Sequence, residues 1–177
     1  MRLAYSIAGR IAWIHDFLDK DMYKGIYREI IKERKNINLH SVEGEWPLYL
    51  TRHISYPQKV QVNNYQPFEE LKEMIKSQPY LPLPELEHMS TNIHYMTKDT
   101  GIQWHNDGGW KYAATWYLNH RWNENWGGEF MFKDGTGAGF IPILSNSMVI
   151  VKSPLQHKVN QVCSPIMPRI SIQIFMK

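Results

Sequence analysis

His105 and Asp107 stand two residues apart, and His157 and Arg169 follow them in the C-terminal half of a 177-residue chain. In an extended strand successive side chains alternate faces, so residues two apart point the same way. His105 and Asp107 can therefore offer an imidazole nitrogen and a carboxylate oxygen to one ion. A second histidine from a distant strand would complete two nitrogens and one oxygen on one face of an octahedron. That set suits non-haem Fe(II), because three adjacent positions stay open for substrate and dioxygen. Zinc more often takes a four-coordinate site, with three protein ligands plus water when catalytic, so the His/Asp/His set alone leaves zinc open. Arg169 turns the reading toward iron. A guanidinium is permanently charged and binds a carboxylate through two parallel hydrogen bonds, as an iron enzyme needs in order to hold the far end of a dicarboxylate cosubstrate.

Each part has a plainer reading in isolation. A His-x-Asp tripeptide arises by chance in many chains, a lone histidine is commonly a satisfied or surface residue, and a lone arginine is commonly a strand-end charge. The information lies in the order of the four residues and in the strand-like segments that carry all of them.

From about Thr91 onward the chain resembles the Fe(II)- and 2-oxoglutarate-dependent oxygenases, and within them the prolyl 4-hydroxylase-like branch. The residues that carry the likeness are Tyr95 to Asp107 (YMTKDTGIQWHND), the TWYLN segment ending at Asn119, Trp126 to Phe130 (WGGEF), PLQHKV around His157, and Arg169 to Ser171. A looser likeness extends to the N-terminal strand and helix. Two departures stand out: Ile102 occupies a position where many relatives carry an aromatic residue, and the stretch between His157 and Arg169 is slightly longer than usual.

The resemblance implies Fe(II) held by His105, Asp107 and His157, with 2-oxoglutarate and dioxygen as cosubstrates and ascorbate as a further candidate cofactor. It places the 5-carboxylate of 2-oxoglutarate on Arg169 and Tyr117, brings Tyr95 to the same cosubstrate, and adds the Ser171 hydroxyl as an assistant. Trp110 and Ile102 are candidates for the substrate pocket. The implied reaction is hydroxylation of an unactivated C–H bond with release of succinate and CO2. Retention of Asp107 favours hydroxylation over halogenation, since halogenating relatives put a small residue there. A prolyl residue of a protein or peptide is the leading substrate class. The alternatives are a free amino acid or small metabolite, and a non-catalytic cupin-like metal-binding or oxygen-sensing module. Nucleic acid is disfavoured, because Arg169 is followed by ISIQIFMK, without the second arginine of the AlkB type of demethylase.

The elements that must position these groups are legible in the periodicity. An opening strand is expected over Leu3–Trp13. A helix follows over Lys20–Lys35, with Asp19 as N-cap and Leu18, Met22, Ile26 and Ile30 repeating every four residues. A second helix is expected over Pro67–Ser77, burying Phe68, Leu71 and Ile75, and a proline-rich extended linker runs over Gln78–Leu86. Eight strand-like segments come next: Ser90–Met96, Ile102–Asp107, Tyr112–Asn119, Gly128–Phe132, Gly139–Ile143, Met148–Lys152, His157–Val162 and Ile170–Phe175. Eight short strands separated by turn signals point to a mainly β fold, a double-stranded β-helix (jelly roll, cupin-like), with two or more N-terminal helices packed on the major sheet. The reading is one domain over residues 1–177, with 1–87 as strand and helix support and 88–177 as the jelly-roll core. With a regular strand over Ser90–Met96 and Tyr95 facing the site, His94 is expected to point away from it. His15, His40, His53, His88 and His120 have no ligand spacing and read as surface or structural residues.

Composition agrees. With 43% hydrophobic residues and 13% aromatics the chain can bury a sizeable core. A formal charge of +3 is too modest to demand nucleic acid, and most of the basic excess reads as a solvated helix face. One cysteine, Cys163, cannot form an internal disulfide, which favours a reducing compartment. No run approaches the roughly 20 apolar residues of a membrane span. A cytoplasmic protein with a protein, peptide or small-molecule substrate and no membrane partner is expected; oligomeric state is not legible.

Overall fold

The computed structural model describes residues 1–7, 9–33, 40–41, 43, 58–61, 66–83, 86–135 and 137–177. Along the chain run β1 (Arg2–Ile7), β2 (Ile11–His15), α1 (Lys20–Glu33), β3 (His40–Ser41), β4 (Gln58–Gln61), α2 (Gln66–Ser77), β5 (Met89–Met96), β6 (Ile102–His105), β7 (Tyr112–Tyr117), β8 (Phe130–Lys133), β9 (Ala138–Ile141), β10 (Met148–Lys152), β11 (His157–Val159) and β12 (Arg169–Met176). The strands form a major sheet in the order β1-β2-β10-β7-β12-β5-β4-β3 and a minor sheet in the order β6-β11-β8-β9. All the strand pairs are antiparallel. This is the double-stranded β-helix of a mainly β, cupin-like fold, with both helices on the outside of the major sheet.

Alternation along the central strand β12 explains the layering. Ile170, Ile172, Ile174 and Met176 face outward and pack with Trp116, Ile93 and Ile150 against Tyr23, Ile26 and Ile30 of α1 and Phe68, Leu71 and Ile75 of α2. Their neighbours on the same strand therefore face the space between the sheets. There Ala113, Tyr117, Val149 and Val151 meet Phe130, Phe132, Ile141 and Leu155 of the minor-sheet side. The four-residue stripes anticipated on both helices are thus the buried ones, and Asp19 caps α1 by accepting from the amides of Asp21 and Met22 at 2.9 and 3.0 Å.

Beyond the helices, one buried amide ties the layers together. Asn146 accepts from the Leu18 amide and the Trp116 indole, both at 3.2 Å, and donates to the Leu18 carbonyl at 2.8 Å. A buried polar group is tolerated when its donors and acceptors are used in this way.

The structure departs from expectation in three places. The single opening strand is a hairpin: Gly9 at φ +67° turns the chain between β1 and β2, and the Arg10 amide donates to the Ile7 carbonyl. Two short polar strands, β3 and β4, extend the major sheet beyond β5 with no apolar pattern to announce them. The first helix is described to Glu33, with the expected end at Lys35 outside the described residues, as are His53 and part of the proline-rich linker. Asp107, Asn119 and Val162 lie just past strand ends rather than within them. Among the described residues no helix is long and apolar enough to cross a membrane.

Candidate metal and cosubstrate site

β6 and β11 are neighbours, and their register sets His105 directly opposite His157. Asp107 follows two residues after His105, with Oδ1 at 3.6 Å from His105 Nε2 and Oδ2 at 3.3 Å from His157 Nε2. One donor atom from each of the three residues lies within 4.8 Å of the others, a spacing that one cation can span. Backbone carbonyls fix both rings: His105 Nδ1 donates to the Gln103 carbonyl at 2.7 Å and His157 Nδ1 to the Leu155 carbonyl at 2.9 Å. A carbonyl only accepts, so each Nδ1 carries the hydrogen and each Nε2 is turned to the shared space as a ligand. Phe130 stacks on the His157 ring with centroids 5.1 Å apart, holding its plane.

The electrostatics prepare the set for a cation. Burial opposes charge on Asp107, but the adjacent His105, with His157 and His94, outweighs it and holds the carboxyl below its ordinary range. Burial lowers His157, against the raising effect of Asp107. The site at neutral pH is therefore one carboxylate with a neutral His157, the protonation a metal requires.

Arg169 opens β12 on the same interior face and is only 1% exposed. Its Nε donates to the Gly128 carbonyl at 3.0 Å, and its Nη1 reaches Ser171 Oγ at 2.9 Å and Met96 Sδ at 3.4 Å. The guanidinium carbon stands 5.1 Å from the Tyr117 ring centre. Nη2 of Arg169 and the Tyr117 hydroxyl are both buried without a hydrogen-bond partner. Burial lowers Arg169 and raises Tyr117, each opposed by the other's proximity. Among the described residues no carboxylate forms a salt bridge with Arg169. A buried guanidinium with an unused fork arm beside an unused hydroxyl fits an incoming carboxylate, because unsatisfied buried polar groups are costly.

The glycine pair seen in the sequence serves this arginine. At Gly127, φ is +65° and a Cβ would stand 2.0 Å from the Gln161 carbonyl oxygen. At Gly128 a Cβ would press on Arg169 Cδ at 3.2 Å. Only a residue without a side chain brings the Gly128 carbonyl to the guanidinium.

Two sequence readings need correction, those of Tyr95 and His94, and the two substrate-pocket candidates lie apart. Tyr95 pairs with Ile170 and lies in the helix-side core, so the structure does not bring it to Arg169. His94 pairs with Ser171 on the interior face, where the sequence reading had turned it away. The face of a strand follows from its partner's register, and β12 sets it here. Ile102 packs with Met96, Val159 and Val162 near the arginine, away from Trp110. Trp110 instead packs against Phe175 at the other end of β12, with centroids 5.6 Å apart.

His94 is buried, and burial first, then Arg169 and Lys59, drive its pKa to about 3 against a pull from Asp107. The ring is neutral in the folded state, whereas an unfolded histidine titrates near 6.5. As pH falls below 6.5 only the unfolded chain gains this proton, so folding stability is expected to fall by about 1.4 kcal/mol per pH unit toward pH 3. In chelator-treated protein the acid limb of stability against pH, measured by urea unfolding, should be shallower in His94→Gln than in wild type. Equal slopes would show that His94 takes up its proton as readily in the folded as in the unfolded state.

The sequence profile of the 2OG-Fe(II) oxygenase superfamily matches residues 91–177. No curated protein shows a significant match. The fold is similar to that of a Pseudomonas putida prolyl-4-hydroxylase (TM-score 0.74, 14% identity, covering 96% of this chain and 93% of that one). It is similar also to a Trichoplax adhaerens prolyl hydroxylase solved with a hypoxia inducible factor oxygen degradation domain peptide (0.77, 12%, 96% and 84%). The α-ketoglutarate-dependent epimerase SnoN of nogalamycin biosynthesis has comparable likeness (0.75, 12%, 96% and 78%).

Proposed function

The chain belongs, through residues 91–177, to the 2OG-Fe(II) oxygenase superfamily, and from that premise we propose that it is a dioxygenase hydroxylating a prolyl residue of a protein or peptide. The observation that carries the oxygenase chemistry is the meeting, inside one barrel, of a His/Asp/His donor set with a buried arginine whose fork is half unused. In this reading His105, Asp107 and His157 hold Fe(II), while Arg169 and Tyr117 receive the 5-carboxylate of 2-oxoglutarate. When bound, iron with 2-oxoglutarate and dioxygen supplies C–H hydroxylation, with succinate and CO2 as co-products.

The protein's own part is positioning. Ser171, Met96 and the Gly128 carbonyl fix three sides of the guanidinium so that its free arm has one place to bind. Ile102, Val159 and Val162 close the neighbouring space with apolar groups, which keeps water from competing for the cosubstrate. Trp110 forms a wall of the substrate approach. Residues 1–87 support the core of 88–177 within a single domain, α1 and α2 bracing the sheet behind Arg169. The prolyl assignment is supported by the likeness to two prolyl hydroxylases, one solved with a peptide. The comparable likeness to an epimerase makes a small metabolite the second reading.

Succinate release measured with prolyl peptides, free amino acids and methylated oligonucleotides tests the assignment. Prolyl peptides are expected to stimulate release and to gain one oxygen by mass spectrometry. Stimulation by free amino acids alone would replace the substrate class while leaving the site intact.

A further inference from the structure

At the C-terminal end of β12, opposite Arg169, several chain segments converge on one rim. The backbone fixes them: the Lys111 amide donates to the Met176 carbonyl, the Ser153 amide to Lys111, the Lys152 amide to Arg10 and the Lys133 amide to Gln156, all at 2.8 to 2.9 Å. Two grooves lie here and share Lys152 and Ser153. One, of about 650 Å³, is lined by Trp110, Lys111 and Tyr112; the other, of about 440 Å³, by Arg10, Lys133 and Gln156. Neither has a carboxylate in its lining.

This rim adjoins both ligand-bearing loops. The Trp110 amide donates to the Asp107 carbonyl at 2.9 Å, and Leu155, which lines the second groove, holds His157 Nδ1. Along an extended strand the seven residue steps from Arg169 to Met176 span about 23 Å. Arg169 and the cationic rim are thus at opposite ends of one strand.

We propose that this rim docks an acidic stretch of polypeptide flanking the residue to be oxidised, so that the substrate class of the site is an acidic peptide or protein segment. The inference rests on the oxygenase reading above and adds charge selection to it. Arg10, Lys111, Lys133 and Lys152 are exposed cations with their main chains fixed. Lys177 stands 5.0 Å over the Trp110 ring and Lys152 6.0 Å from the Tyr112 ring centre, adding fixed positive charge beside the groove. Opposed charge of this kind selects partners and hastens encounter. A single-stranded nucleic acid would need open ring faces on which to stack bases. Here an ammonium group occupies a face of each ring, which favours carboxylates of a peptide.

The test uses full-length protein with Fe(II) and 2-oxoglutarate under nitrogen, so binding is read without turnover. Fluorescence anisotropy follows a fluorescein-labelled Asp/Glu-rich prolyl peptide, its Asn/Gln counterpart and a labelled oligothymidylate. The acidic peptide is expected to bind at least about tenfold more tightly than the neutral one, with affinity falling as salt rises. The double variant Lys111→Glu/Lys152→Glu should lose that preference, and Lys111→Gln/Lys152→Gln should halve it or more, with thermal unfolding checking that both fold. Equal binding of acidic and neutral peptides to wild type, retention of the preference in both folded variants, or tighter binding of the oligonucleotide would overturn the proposal. Absence of succinate release when oxygen is then admitted, with charge selection intact, would instead count against the oxygenase reading alone.

Discussion

Asp107→Ala is expected to abolish succinate formation both with and without a prime substrate, and His157→Ala to do the same. Each change removes one of the three donors that converge within 4.8 Å among the described residues, and without Asp107 the remaining imidazoles offer no negative charge to hold a hard divalent cation in the open three-position geometry. The effect should appear as lost Fe(II) retention before it appears as lost turnover. Anaerobic addition of Fe(II) and 2-oxoglutarate should give a weak visible charge-transfer absorption in wild type and none in Asp107→Ala. The variant should keep its fold, because in the absence of metal the Asp107 carboxylate mainly draws two imidazoles together. Wild-type succinate release from either variant would remove these residues from the site.

Arg169→Ala is the second large effect, and it should fall on the cosubstrate. Truncating one member of a buried charge pair costs about 2 to 5 kcal/mol, so the 2-oxoglutarate requirement should rise about 30-fold or more. The structure sharpens the expectation, since Nη2 and the Tyr117 hydroxyl are both buried without a hydrogen-bond partner and the guanidinium lies against the Tyr117 ring. Calorimetric titration of 2-oxoglutarate into Fe(II)-loaded protein separates this from lost folding, and Arg169→Lys should recover only part, because an ammonium cannot reproduce the fork that also binds the Gly128 carbonyl. An unchanged requirement in Arg169→Ala would assign the cosubstrate carboxylate to another residue.

Much of this was legible before any coordinates. Spacing alone pairs His105 with Asp107, although β6 ends at His105 and Asp107 reaches the shared space from just beyond the strand. Strand β10 runs from Met148 to Lys152 as its apolar run indicates, and the helix stripes bury the expected residues. What could not be read was the absolute face of β5. Spacing says that His94 and Tyr95 point oppositely; only the pairing of Tyr95 with Ile170 says which one looks inward. The role of Gly128 was equally hidden, since a backbone carbonyl leaves no signature in a side-chain pattern. Lys59, across from His94 on β4, sits in a short polar strand whose existence depends on pairing with β5 rather than on its own propensity.

The central place of β12 has a consequence for how the protein comes into being. This strand hydrogen-bonds to β5 on one side and β7 on the other, yet it follows both in the chain, by 73 residues in the pairing of Arg169 with Met96. Until it emerges from the ribosome, β5 and β7 have no common partner and each presents an open edge prone to mispairing. The arginine that would capture the cosubstrate arrives on the very strand that closes the sheet. Folding should therefore be slow for its size, governed by these long-range pairings. A nascent chain halted before residue 169 would lack both Arg169 and the strand that joins β5 to β7 in the major sheet.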